Sequence, residues 1–296
     1  MPSEIQAFSL LTCPLDGEPL LNDNNMWKCH HGHSFDVAKQ GYIHLLPVQN
    51  KRSRDPGDSK EMIAARQRFL NANHYLPIAQ AVSQAVLNST DTTQDIACLD
   101  AGCGEGYYLR QMASAILNKD TLIATETNQH QLSRKLQLVG LDISKWAILA
   151  AAKQDARTRW IVGTNAKLPI PSNSLDIVLC LFGFPVYSEF SRVLKQHGKI
   201  IQVDAGPRHL IELREIIYPS LKPASITANT NPDGFQLQTQ HTIQHQIQLT
   251  TPNNIADLLV MTPHLYRASS EGLERANQLQ SLTLTVDAQL KIYDKS

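Results

Sequence analysis

A doubly wound α/β fold, preceded by a small metal-binding type of module, is the fold class this sequence predicts, and three observations predict it. Ile96-Ala97-Cys98-Leu99-Asp100 reads as a short apolar strand ending in an acid. Gly102, Gly104 and Gly106 follow as a turn, and from Tyr107 to Leu117 the apolar residues Leu109, Met112, Ala113 and Ile116 stand at helical spacing. Downstream, apolar runs alternate with helical segments as far as Asp204, the pattern of βαβ units. The last two strand-like segments, around Phe235–Gln248 and Leu282–Tyr293, alternate apolar and polar residues, as an antiparallel pair closing a mostly parallel sheet would.

The totals bound the reading. A chain of 296 residues holds one large domain or two unequal ones, and 42% hydrophobic with 18% charged residues suffices to bury a core. The formal net charge is zero, so nucleic-acid binding has to come from a local patch. No apolar run approaches the ~20 residues of a membrane span, and Met1 to Gln6 lacks a basic region followed by an apolar run, so a cytoplasmic protein without a membrane partner is expected. Five cysteines, an odd number, argue against a disulfide framework. Cys98 and Cys180 lie in apolar runs and are expected to be buried thiols; Cys103, in the glycine turn, is given no catalytic role.

Taken in order, residues 10–47 form the small module. Cys13-x-x-Asp16 and Cys29-x-x-x-His33 have the form of paired zinc knuckles, each supplying two ligands from one tight turn. About 40 residues rarely stabilise themselves by burial alone, so the metal has a structural task. Asp16 stands where a second cysteine is expected, and His30 or His31 is an alternative ligand. Tyr42–Leu46 reads as a strand. Lys51-Arg52-Ser53-Arg54-Asp55-Pro56-Gly57-Asp58 reads as a basic loop which, with Arg66 and Arg68 on a helix capped by Ser59, is a candidate phosphate-binding patch. A second helix spans Leu76–Leu87. The expected organisation is a zinc-ribbon-like RNA-recognition module over 1–50, a basic linker with helices over 51–94 and the α/β domain over 95–296.

The glycine turn has the spacing G-x-G-x-G after Asp100, rather than the G-x-G-x-x-G that sets a helix N-terminus on a pyrophosphate. The shorter form resembles motif I of the S-adenosylmethionine-dependent methyltransferases, and Asp100, Gly102, Gly104 and Gly106 are its candidate cofactor residues. Two segments compete for the second strand, whose terminal acid holds a ribose. Thr121–Glu126 is one; Leu136–Ser144 is the other and has the better following helix, with Ala147, Ile148, Ala151 and Ala152 in phase. Asp142 is therefore taken as the ribose carboxylate, residues 118–137 as an insertion, and Glu126 as the rival. Trp160–Gly163 is a strand followed by a loop with Asn165, a further cofactor candidate. Leu175–Phe182 is a buried strand, Tyr187–Leu194 a helix stopped at Gly198, and Lys199–Asp204 a strand. Gly206-Pro207-Arg208-His209-Leu210 opens a helix to Tyr218, and another helix lies near Ile255–Leu259.

Together these residues resemble the bacterial 23S rRNA (guanine-N1)-methyltransferase family over nearly the whole chain. The specific matches are the knuckle module, Ala38–Tyr42, Leu45–Gln49, Lys51–Asp58, Gly104–Tyr108, Gly140–Lys145 and Gly206–Leu210. The resemblance implies a Rossmann-like methyltransferase fold with a mostly parallel seven-stranded sheet, S-adenosylmethionine as cofactor, a structural zinc, and 23S rRNA as partner. It maps the zinc ligands to Cys13, Asp16, Cys29 and His33, and cofactor contacts to Tyr75, Gly104, Glu105 and His209. The position of Asp16 is normally cysteine in that family, and the 118–137 insertion and Phe184 also depart from its pattern. No residue is assigned as catalytic base, and a homodimer is left open. The competing readings are a methyltransferase acting on a small quinone-precursor-type molecule and a non-catalytic RNA-binding module.

Overall fold

The structure is a computed structural model that describes residues 4–50, 53, 55–90, 94–127, 135–221 and 231–296; for residues 50, 119–127 and 265–266 it describes the backbone alone. Lys51, Arg52 and Arg54 of the expected basic loop, and residues 128–134 of the expected insertion, lie outside the described residues.

The N-terminal segment contributes β1 (Glu4–Ala7), β2 (Leu11–Thr12), β3 (Pro19–Asp23), β4 (Met26–Lys28), β5 (Ser34–Asp36) and β6 (Ile43–His44). Strands β2 to β5 form a small antiparallel sheet in sequence order. Helices α1 (Lys60–Asn71) and α2 (Leu76–Asn88) follow, with the Ser59 hydroxyl accepting from the Met62 amide as the expected cap. Then come β7 (Ile96–Ala101), α3 (Tyr107–Thr127), β8 (Lys135–Asp142), α4 (Lys145–Gln154), β9 (Arg159–Val162), β10 (Leu175–Leu181), α5 (Tyr187–Val193), β11 (Leu194–Ala205), α6 (Ile211–Ile217), β12 (Phe235–Leu249), α7 (Pro252–Met261), α8 (Ser270–Asn277) and β13 (Leu282–Lys295).

The seven strands from β7 onward lie in the order β9-β8-β7-β10-β11-β13-β12. The first five are parallel, and β13 runs antiparallel between β11 and β12. The order reverses direction at β7 and β10, so the carboxyl ends of β7, β8 and β9 open on a crevice, the usual ligand position of such sheets. Two strands from the N-terminal segment extend the sheet to nine: β1 pairs parallel with the first half of β8, and β6 with β9.

Alternation along the buried strands sorts side chains onto two faces. Ile96 and Cys98 of β7, Leu136 and Leu138 of β8, and Ile177 and Leu179 of β10 face a core built with α2, α3, α4, α6 and α7. Ala97, Leu99, Val139, Leu141, Val178 and Cys180 face the other way, against α5 and against Phe8, Leu11, Cys13, Leu20, Trp27 and Cys29. The knuckle module therefore covers one face of the main sheet. An independent core for it, implied by reading it as a separate unit, is corrected by this shared packing.

The structure also corrects three local expectations. Thr121–Glu126, the rival second strand, continues helix α3, so Glu126 does not end a strand. Gly198 lies inside β11, which starts at Leu194 and shifts register against β10 between Leu175 and Ile177. Pro207 sits in a turn before α6 rather than in its first turn, because Leu210 takes a left-handed φ of 53° and delays the helix to Ile211.

Candidate functional site

The glycine turn closes over the end of β8. The amides of Gly102 and Cys103 both donate to the Leu141 carbonyl, at 2.8 and 3.0 Å. All three glycines have positive φ, at 94°, 55° and 80°, which a side chain resists. Their tasks differ. No atom lies within 4 Å of the place a Cβ would take at Gly102, and at Gly104 only the Arg66 side chain does, so these two present open backbone. A Cβ on Gly106 would overlap the Trp160 ring, as would one on Gly140. That indole fills the space between the two glycines, with its Nε1 donating to the Asp155 carbonyl at 2.6 Å. Gly106 thus serves packing rather than ligand approach.

Two acids border the turn. Asp142 accepts from the Gly104 amide at 3.0 Å through Oδ2 and from the Ser144 amide at 2.8 Å through Oδ1. It fixes the turn from below, and the cap of α4 is Ser144, whose hydroxyl accepts from Ala147. Asp100 is 1% exposed, and both its oxygens are buried without a partner among the described residues. Burial, and next to it the charge of Asp142, push its carboxyl up to about 8. A buried acid in that condition is a place for a cationic group.

The far wall is aromatic. Tyr75, between α1 and α2, lies with its hydroxyl 3.0 Å from His209 Nε2. The Asp287 amide donates to His209 Nδ1 at 3.3 Å, and burial holds the imidazole down to about 4, so the ring is neutral with its proton on Nε2. His209 then donates to Tyr75, whose own proton is left for a third group. The ring of Phe182, at the end of β10, lies 5.8 Å from Tyr75 and 5.7 Å from His209. The turn carrying His209 wraps Asp287 closely: a Cβ on Gly206 would overlap that carboxyl, and the Arg208 amide donates to it at 2.9 Å. Glu105 turns inward instead, its carboxylate on Arg110 at 2.9 Å and Gln154 at 2.8 Å. Asn165, on the loop after β9, has a buried Oδ1 with no partner among the described residues.

The knuckle residues converge separately. One ligand atom from each of Cys13, Asp16, Cys29 and His33 lies within 4.8 Å of the others. Cys13 Sγ and Cys29 Sγ stand 3.5 and 3.4 Å from His33 Nδ1, and Cys29 Sγ stands 3.5 Å from Asp16 Oδ2. A tetrahedral zinc with ordinary bond lengths needs S···N and S···O edges of about 3.5 Å. The donor set and its edges fit zinc. His31 joins from outside, its Nδ1 3.1 Å from Asp16 Oδ2, where it orients the carboxylate.

Comparison with known proteins agrees with both halves. Residues 11–54 match the family described as RlmA, N-terminal, and residues 129–202 match the methyltransferase domain family. A protein of Bacillus subtilis (strain 168), provisionally named a 23S rRNA (guanine-N1)-methyltransferase, is 26% identical over 96% of this chain and 97% of its own length. One from Micromonospora griseorubida, named in the same provisional way, is 29% identical over 95% of each chain. The 23S rRNA (guanine(748)-N1)-methyltransferase of Streptomyces fradiae is 28% identical over 69% of this chain and 66% of its own. The chain is similar to these methyltransferases over most of its length.

In a methyltransferase the cofactor is S-adenosylmethionine, and the cradle fits it: open backbone at Gly102, an unpartnered buried acid for a cation, and a second acid at the end of β8. Sequence reasoning named Arg66, Asp58 and Phe182 but gave none of them a place at the cradle. Arg66 pairs with Asp58 at 2.6 Å and donates to the Met261 carbonyl at 3.2 Å, and Ser144 Oγ donates to the Asp58 carbonyl at 2.6 Å. Residues 57–58 are thereby strapped against Ile143 and Ser144 beside the cofactor turn. Arg68 pairs with Asp257 on α7. Both arginines are thus paired within the chain, Arg68 with its side chain 61% exposed. Phe184 is 90% exposed.

Proposed function

We propose that this methyltransferase transfers a methyl group from S-adenosylmethionine to N1 of a guanine in 23S rRNA. The observation that carries this reading is the joining of an RlmA-type knuckle module to the cofactor cradle in one sheet, since a small acceptor needs no such module. In this reading residues 1–50 recognise RNA, 51–94 link and cover the cradle, and 95–296 carry the transfer. Tyr75, Asp100, Gly102, Gly104, Asp142, Asn165 and His209 face the cofactor, Glu105 and Gly106 set the shape of the turn from within, and Cys13, Asp16, Cys29 and His33 hold the zinc. A cytoplasmic location goes with an rRNA substrate. A homodimer is compatible with the reading and not required by it.

The cofactor supplies an already activated methyl group on a sulfonium. The chain's part is to align donor and acceptor and to exclude water. Asp142 holds the turn, Asp100 offers the buried negative charge, and Tyr75, set by His209, offers a hydroxyl proton at the wall. His209 is not placed to take the guanine proton, because its Nδ1 already accepts from a backbone amide. Phe182, whose ring lies by Tyr75 and His209, and Phe184, two residues on and 90% exposed, offer apolar rings suited to stacking on an unstacked base.

The test is methyl transfer from labelled S-adenosylmethionine to 23S rRNA, with mass mapping of rRNA from cells with and without the protein. One methylguanosine should disappear with the protein, and RNA affinity should fall steeply with salt. Cofactor binding with an unchanged rRNA profile and no RNA binding would point to a small acceptor instead. No cofactor binding would leave a binding module.

A further inference from the structure

The knuckle and the cofactor cradle meet at one loop, residues 164–169, between β9 and β10. The loop leaves the sheet next to Asp142: the Gly163 amide donates to the Asp142 carbonyl at 3.0 Å. It carries Asn165, whose Oδ1 is buried without a partner among the described residues and whose Nδ2 donates to the Phe184 carbonyl at 3.4 Å. The same loop is bonded to the first knuckle twice. Lys167 Nζ donates to the Pro14 carbonyl at 2.8 Å, and the Thr12 amide donates to the Pro169 carbonyl at 3.0 Å. Pro14 directly follows Cys13 and stands two residues before Asp16, so the bonded carbonyl belongs to the turn that presents two of the four metal donors. That turn is short and self-bonded: Cys13 N donates to Glu18 O at 2.7 Å, Gly17 N to Cys13 O at 2.8 Å, and Glu18 N to Asp16 Oδ1 at 3.0 Å. On its other side the loop rests on α5, through Leu168 N to Glu189 Oε2 at 2.7 Å and Arg192 to the Leu168 carbonyl at 2.9 Å.

The loop is therefore clamped between a rigid helix and a turn whose shape is set by its metal donors. We propose that Lys167 is a positioning residue that transmits the shape of the metal-bearing turn to Asn165, so that zinc occupancy and S-adenosylmethionine affinity are linked. The path is contiguous, from Cys13 and Asp16 through the Pro14 carbonyl, Lys167 and the 164–169 backbone to Asn165. Linkage is reciprocal: the factor by which zinc tightens the cofactor is the factor by which the cofactor tightens zinc. The inference rests on reading this cradle as the S-adenosylmethionine site and the knuckle as a zinc site. It adds that the two sites are one thermodynamic unit.

The test uses the full chain and S-adenosylhomocysteine as the calorimetric probe. Zinc-loaded wild type, zinc-free wild type and zinc-loaded Lys167→Met are compared, with zinc content measured in each. Removing zinc should weaken the probe about 5- to 150-fold, the ordinary range of site coupling. Lys167→Met should weaken it comparably with its zinc still bound. Saturating probe should slow zinc transfer to a chromophoric chelator in wild type and not in Lys167→Met. If zinc removal unfolds the chain, the zinc-loaded Lys167→Met variant alone decides. Probe affinity equal to wild type in that variant would overturn the coupling. Absence of binding in zinc-loaded wild type would overturn the cofactor reading and the coupling with it.

Discussion

Both oxygens of Asp100 are buried without a partner among the described residues, one strand away from the acid of Asp142, and burial together with that neighbour holds the Asp100 carboxyl up to about 8. In the unfolded chain the same group ionises near 4. The folded state therefore binds the extra proton between those values, and its stability declines as pH rises from about 4 to about 8. A bound cation reverses the preference, since it favours the carboxylate. Below pH 8 cofactor binding then releases a proton, and S-adenosylmethionine affinity should rise by up to about tenfold per pH unit between 6 and 8 and level off above. Asp100→Asn should flatten that profile, and calorimetry in buffers of different ionisation enthalpy reads the proton directly; a wild-type profile without slope would remove Asp100 from the cofactor's surroundings. Asp142 has a different signature. Asp142→Ala should weaken the cofactor by about 1.5–3 kcal/mol, or roughly 10- to 150-fold. Ser144→Ala, which removes the cap of α4 and the bond to the Asp58 carbonyl, should cost about 1–2 kcal/mol of stability and lower affinity less than Asp142→Ala does. Glu126→Ala should leave affinity unchanged, because Glu126 continues α3. Equal affinity losses in Asp142→Ala and Glu126→Ala would refute the assignment of the second strand.

At the scale of elements, the strand-turn-helix around Asp100 was legible because pattern and punctuation agree there: a short apolar run buried throughout, then glycines at positive φ, then helical spacing. The end of β8 was legible for the same reason. The course of residues 118–127 was not. Thr121-Leu122-Ile123-Ala124-Thr125 is apolar and β-branched, and an apolar run that short suits a strand or a helix equally until its neighbours decide. Helix α8 went unread because Ser270–Asn277 is short and charged, and its burial depends on Gly272 lying against the Ile217 backbone. Arg66, Asp58 and Phe182 are tertiary partners with no local signal, and Tyr75 and His209 were found by resemblance alone. The glycines show how a motif mixes tasks. Gly140, inside β8, has its Cβ position filled by Trp160, so Gly140→Ala should overpack the sheet and cost about 1–3 kcal/mol of stability. Denaturant melts of Gly140→Ala, alone and combined with Trp160→Phe, check this: the smaller ring should recover part of the loss, and a full loss in the double variant would place the strain elsewhere.

At the scale of the whole molecule, the knuckle module is woven into the sheet that carries the chemistry. Strands β1 and β6 pair with β8 and β9, Arg159 donates to the Phe8 carbonyl at 3.1 Å while stacking on Trp27, and Cys13 and Cys29 pack in the same apolar cluster as Leu99 and Leu141. A module joined only by a linker would melt by itself and leave the rest folded. Here its loss strips one face of β7 and β8 and exposes apolar surface that the remaining chain cannot cover. Zinc binding free energy should therefore appear as stability of the whole chain. Purified protein should hold about one zinc per chain, and Cys29→Ser should lower the melting temperature of the main transition, by an amount of several degrees or more, without creating an earlier separate one. Near-ultraviolet dichroism offers the matching probe, because Trp27 lies in the module and Trp160 under the cofactor turn, and each reports its own surroundings. Coincident loss of both signals marks one cooperative unit; a Trp27 signal that melts first, with Trp160 unmoved, would divide the molecule in two.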